Sequence, residues 1–167
     1  CSVFDTIFAH EHLQDQLFSV LDRDESLNPL LAGYFSKIVT CLLNRKTYET
    51  LAVMQKKDML TRLLQHIGTF SIMELLLKLL HATEEMRGPG EELEWIYSYD
   101  IVQKLLSRFS SDYDSDVHAH VAHVLVGILH MSNACQCTLT AQLREPTYVN
   151  TLIDLIIAGP GSARQHA

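Results

Sequence analysis

Apolar residues recur along this chain at the spacing i, i+3, i+4, i+7 in nearly every periodic stretch, with charged and amide side chains between them. At 3.6 residues per turn, that spacing gathers the apolar side chains onto one stripe of an α-helix. No Asn-Gly or Asp-Gly dipeptide sits between alternating runs, so the commonest hairpin signature is missing. An all-α fold is expected. Helix punctuation agrees: Asn28 before Pro29 reads as an N-cap and first-turn residue, and Ser71 with Glu74 as a capping box. Gly68 reads as the close of the preceding helix, Asp100 with Gln103 as another helix start, and Gly88, Pro89 and Gly90 as the clearest interior loop.

The pattern also repeats. Four segments superpose: "HLQDQLFSVL" from His12, "DMLTRLLQHI" from Asp58, "DIVQKLLSRF" from Asp100 and "TYVNTLIDLI" from Thr147. Each is apolar at its second, sixth, seventh and tenth positions, and the third is apolar except in the first segment, where Gln14 stands. Consecutive starts lie 46, 42 and 47 residues apart, in the range of roughly 40–47 residues typical of HEAT and armadillo units. A second, strongly apolar helix is expected after each of the first three, from Asn28, Ser71 and Asp116. These features predict a HEAT- or armadillo-like α-solenoid over residues 1–158, with a polar tail at 159–167. The opening on Cys1 and the polar close read as a piece of a longer helical-repeat domain. Stacked repeats present extended surfaces suited to binding other proteins.

Composition narrows the partners. Twenty acidic against 13 basic side chains leave a net charge of −7, which repels phosphates and argues against nucleic acid. Glu74 and Lys78 interrupt the richest apolar stretch, "IMELLLKLL", so no run reaches the roughly 18 residues of a membrane span and no membrane insertion is expected. Among four cysteines, Cys135 and Cys137 form a C-x-C without a second pair, short of zinc spacing. Reduced thiols and a cytoplasmic location are expected.

Candidate chemistry centres on "DVHAHVAHVLVGILH", residues 116–130, with four histidines. His118 and His120 point about 200° apart on a helix, but His120, His123 and His130 can share a side. A metal-dependent hydrolase built on His120 and His123 is therefore one alternative; the other is the polar face of a packed helix, with Asp112, Asp114 and Asp116 capping its start. "AHEHLQ" fails as a zinc helix because Gln14 occupies the second histidine's place. Nucleophile-elbow and phosphate-loop motifs are absent. The acidic run of Glu84, Glu85, Glu91, Glu92 and Glu94 reads as solvated surface. The expectation is a protein that is not an enzyme and needs no cofactor. Cations cluster at Lys37, Arg45 and Lys46 and again at Lys56 and Lys57, either as helix-end charges or as a docking patch.

The blocks "NPLLAGYFSKIVTCLLNRK" (28–46), "KKDMLTRLLQHIGTFSIMELLLKLL" (56–80) and "ELEWIYSYDIVQKLLSRF" (92–109) resemble the SAPS-domain family, the Sit4-associated proteins that include regulatory subunits of protein phosphatase 6. The likeness runs from about Leu17 onward, more weakly through 116–129 and 142–157. It implies a non-catalytic regulatory and scaffolding subunit that binds a phosphatase 6-type serine/threonine phosphatase catalytic subunit and directs it to substrates. Ankyrin-repeat subunits are further implied partners. A helical-repeat adaptor for another protein cargo is the alternative within the same class. The family tends to carry Asn and Gln where His120 and His123 stand, which implies polar contacts there rather than a metal. Tyr34, Phe35, Lys37, Arg45, Lys46, Lys56 and Lys57 are the candidate partner contacts, chosen from the specific block at 28–46 and the positive charge near it.

Overall fold

In the computed structural model, which describes residues 3–23, 25–86, 94–131, 138–159 and 161, the protein is all-α, with no strand among the described residues. The chain divides into two units, Cys1–Ala82 and Thr83–Ala167.

The first unit opens with α1 (Val3–Ala9) and α2 (Glu11–Phe18), the latter prolonged by a 3-10 turn, Ser19–Leu21. Then come α3 (Pro29–Arg45), α4 (Thr47–Lys56), α5 (Met59–Gln65) and α6 (Phe70–Glu85), whose last turn crosses the boundary. The buried side of α3 follows its period, with Ala32, Phe35, Val39, Leu42 and Leu43 inside, and Phe35 meets Phe18 edge-on at 6.0 Å between ring centroids. Gln14 breaks the apolar repeat for a local reason. Its buried side-chain amide donates to the carbonyls of Ile7 and Phe8, both at 3.2 Å, and so satisfies two C-terminal acceptors of α1 that have no partner within that helix. Buried His66 lies with Nε2 3.2 Å from the Leu21 carbonyl at the end of the 3-10 turn.

The second unit holds α7 (Glu94–Ser98), α8 (Ile101–Ser107), α9 (Ser115–Met131), α10 (Thr138–Leu143) and α11 (Pro146–Ala158). Here α8 packs with α9, α10 and α11, and α10 with α9 and α11. Side-chain bonds help to join them: buried Thr140 donates to the Ile128 carbonyl at 2.9 Å, and the Tyr148 hydroxyl donates to Asp100 Oδ1 at 2.9 Å.

The order short, short, long recurs along the chain. Helices of 7, 8 and 17 residues are followed by 10, 7 and 16, by 5, 7 and 17, and then by 6 and 13. The superposed segments keep their register. At the five shared apolar positions of the second and third segments, from Met59 to Ile67 and from Ile101 to Phe109, no side chain exceeds 4% exposure. Their first residues, Asp58 (φ 49°) and Asp100 (φ 55°), are the two non-glycine residues in the left-handed region among those described. Aspartate tolerates that region better than most side chains, and here it turns the chain sharply from one short helix into the next.

Asn28 caps α3 as expected, its side-chain oxygen accepting from the N–H groups of Leu30 and Leu31 at 3.0 and 3.2 Å. Two other signals are displaced. Helix α6 begins at Phe70, where the Thr69 carbonyl accepts from Ile72 and Met73, so Ser71 lies inside the first turn and does not cap it. Gly68 takes no left-handed conformation, because α5 already ends at Gln65 and residues 66–68 continue as turn. Asp100 does precede a helix, but its carboxylate serves Tyr148 and makes no cap bond. The Gly88-Pro89-Gly90 loop, Cys135 and Cys137, and residues 160 and 162–167 of the expected tail lie outside the described residues.

Candidate functional site

Helix α3 carries one of the two most distinctive sequence blocks, and several large apolar residues lie on its outer face. At 100° per residue, Leu30, Tyr34, Lys37, Ile38, Cys41 and Arg45 fall within an arc of about 100°, and all six are exposed. Leu30 is 66% exposed, Tyr34 56% and Ile38 42%. Scattered apolar residues are ordinary on protein surfaces, but several on one helix face, bordered by cations, form a patch of the kind that binds proteins. Adjacent Tyr34 and Phe35 part company by one helical step. Phe35 is 2% exposed and serves packing against Phe18, so it offers a partner no surface. Cys41 is a free thiol on the exposed face.

The lysines chosen from the sequence are largely engaged within the fold. Lys46 pairs with Asp5 at 3.3 Å and Glu49 at 3.4 Å, and Lys56 with Glu11 at 2.5 Å. Lys57 pairs with Asp15, and Arg62 adds a further bridge to Asp22. An acidic strip on and after α1 and α2 is thus matched by cations 40 to 45 residues later in the chain. The hydrogen bond from Lys56, and then its charge, hold the Glu11 carboxyl below the usual range, and Lys57 does the same for Asp15. Reciprocally, bonds to Asp5 and Glu49 raise Lys46, and the bond to Glu11 raises Lys56. Lys57 has a side chain only 13% exposed, which makes it a fastener of α2 more than a docking charge. Arg45 lies over the Phe4 ring, 5.7 Å from its centroid. Lys37 makes no ion pair among the described residues and stands free beside Tyr34.

The four histidines of α9 separate. His118 is fully buried, with Nε2 3.0 Å from the Ser110 carbonyl and its ring 5.7 Å from that of Phe109. His120 is half-buried, while His123 and His130 are exposed. Asp114 caps the helix by accepting from Val117 N–H at 3.0 Å. Among the described residues, no three His, Cys, Asp or Glu side chains are grouped to hold a metal. The exposed rings of His10 and His12 lie 5.6 Å apart and tilted, and Glu11 between them turns to Lys56. Of the acidic run, Glu91 and Glu92 and the side chains of Glu85 and Glu94 lie outside the described residues. No described helix is long and apolar enough to cross a membrane.

The fold is that of an all-helical protein, and the outer face of α3 carries an exposed apolar patch with Lys37 and Arg45 within it. Residues 39–167 match the family described as SAPS, SIT4 phosphatase-associated protein, and the chain belongs to that family. It is 38% identical over 129 residues to human serine/threonine-protein phosphatase 6 regulatory subunit 1, covering 77% of this chain and 15% of that protein. It is 33% identical over 130 residues to regulatory subunit 2 of Mus musculus, covering 77% of this chain and 14% of that protein. Against the extragenic suppressor of kinetochore protein 1 of Schizosaccharomyces pombe it is 36% identical over 132 residues, covering 78% of this chain and 16% of that protein. The chain thus spans about one-seventh of the length of these relatives. No solved structure matches it.

Proposed function

We propose that this chain acts as part of a non-catalytic regulatory and scaffolding subunit, binding a serine/threonine phosphatase catalytic subunit of the phosphatase 6 type and directing it to substrates. The observation that carries this reading is the SAPS match over residues 39–167, reinforced by relatives whose names describe them as phosphatase 6 regulatory subunits. The helices form a HEAT- or armadillo-like array over residues 1–158. The recurring short, short, long order and the paired left-handed aspartates support that arrangement. Docking falls on the outer face of α3, where Tyr34 supplies a large amphipathic ring, Leu30 and Ile38 apolar area, and Lys37 an unengaged cation. Tyrosine among apolar neighbours is a frequent energetic centre of protein interfaces. Arg45 extends this face, whereas Lys46, Lys56 and Lys57 are occupied in holding α1 and α2. Ankyrin-repeat subunits are further partners, and the assembly works in the cytoplasm.

Affinity capture from cell lysate with this chain as bait, read by mass spectrometry, tests the proposal. Enrichment of a phosphatase 6-type catalytic subunit is expected, and the double substitution Tyr34→Ala, Lys37→Glu reduces it by about tenfold or more with an unchanged helical circular dichroism spectrum. A folded chain that captures no phosphatase refutes the docking assignment, and one that captures a different cargo reproducibly is an adaptor of another kind.

A further inference from the structure

In each of the first three units, the ten-residue segment is followed by a long helix, α3, α6 or α9; the fourth segment belongs to α11 itself. Its side chains at the shared apolar positions are Tyr148, Val149, Leu152, Ile153 and Ile156, and none is buried. Val149, Ile153, Ile156 and neighbouring Ile157 are between 39% and 70% exposed, whereas the counterparts of the first three in the second and third segments are closed off. The apolar arc of α11, from Leu155 round to Ile157, spans about 200° at 100° per residue, roughly twice the stripe that a helix covered on one side requires. Half of that arc is in use, since α11 packs on α8 and α10 and Tyr148 bonds to Asp100. The other half is open, and Asp154 is the only charged residue on the helix.

We propose that the open half of α11 is the seat of a further long helix, the counterpart of α3, α6 and α9 that completes a fourth unit. Its occupant is an amphipathic helix of similar length with Leu, Ile, Val or Phe at i, i+3, i+4 and i+7. Register argues for this occupant: Val149, Ile153 and Ile156 stand at positions that are closed in the second and third segments, and in the third the following long helix, α9, packs on the segment's own helix, α8. Relatives several times longer than the matched region supply ample chain from which to draw such a helix. The inference rests on the repeat reading and is independent of which phosphatase, if any, the chain binds.

The test extends the chain with the segment that follows the matched region in the human relative, and places Ile153→Glu in both the 167-residue and the extended chain. In the 167-residue chain, Ile153→Glu replaces a half-exposed side chain and shifts Tm by no more than about 4 °C. The extension raises Tm by roughly 5–10 °C, and Ile153→Glu abolishes that gain. An extension that brings no rise, or an Ile153→Glu shift equal in both chains, overturns the proposal. So does a 167-residue chain that dimerises and becomes monomeric on Ile153→Glu, because the face then belongs to a second copy. Phosphatase capture by the unextended chain is read separately, so failure of either idea leaves the other standing.

Discussion

Truncating Leu106 and Ile153 to alanine compares one repeat position in two settings. Both are the seventh residue of their segment and both lie in the unit Thr83–Ala167, but Leu106 is 4% exposed and Ile153 46%. Leu106→Ala removes buried methyl and methylene groups from α8, which packs with α9, α10 and α11. The lost transfer energy plus the cavity left behind cost about 3 kcal/mol, within the usual range of about 2–5 kcal/mol for such truncations. At about 2–4 °C per kcal/mol for a chain of this size, Tm falls by roughly 6–12 °C. Ile153→Ala opens no closed cavity and forfeits only the half of the side chain already out of water, about 1 kcal/mol or less. Thermal unfolding followed by circular dichroism, with urea unfolding as a cross-check on m, measures both. Equal losses would refute the reasoning, because Ile153 would then be covered in solution; a Leu106→Ala loss below about 1 kcal/mol would mean that α8 is not packed as described.

Asn28→Ala removes the acceptor for two first-turn N–H groups of α3 and lowers stability by about 1 kcal/mol, whereas Asn28→Asp keeps the bond and stays near wild type in the same unfolding assay. Because Glu11 and Asp15 titrate below their ordinary values, the stabilisation from their lysine partners is present above the ordinary carboxylate range, about pH 4, and is lost as pH falls through the lowered values. Carboxyl NMR titrations should give depressed midpoints that return to ordinary values in Lys56→Gln and Lys57→Gln and weaken in high salt; ordinary midpoints in the unmodified chain would mean that the pairs do not form in solution. Burial, and then the hydrogen bond to Asp100, push the Tyr148 phenol up. The unfolded state therefore ionises first, and this contribution is lost as pH rises from the ordinary tyrosine value of about 10 through the raised one. A spectrophotometric titration should show a late-ionising tyrosine component that disappears in Tyr148→Phe and ionises earlier in Asp100→Asn.

Much of this molecule is written in local pattern. Asn28 caps α3 because an N-cap bond spans two or three residues, and nothing distant competes with it. The shift of the α6 start from Ser71 to Phe70 was less legible, since Thr69 offers the same chemistry two residues earlier. Phe35 could have been assigned to the core from its spacing to Val39 and Leu42, the i, i+4, i+7 stripe that Tyr34 leaves by one helical step. Nothing local distinguishes Lys37 from Lys56. The acid that claims Lys56 is Glu11, 45 residues away, and only the packing of α2 beside the α4–α5 region brings the two together.

By itself, then, the amino-acid order determined the helices, their apolar stripes, the repeat of roughly 45 residues and the family blocks, all of which depend on interactions within one turn or on a period. Tertiary structure decided which cations are engaged, which histidines are buried and which apolar faces remain open. Those outcomes depend on pairing between helices distant in sequence, where charge and apolar area are satisfied or left exposed according to what the fold sets beside them.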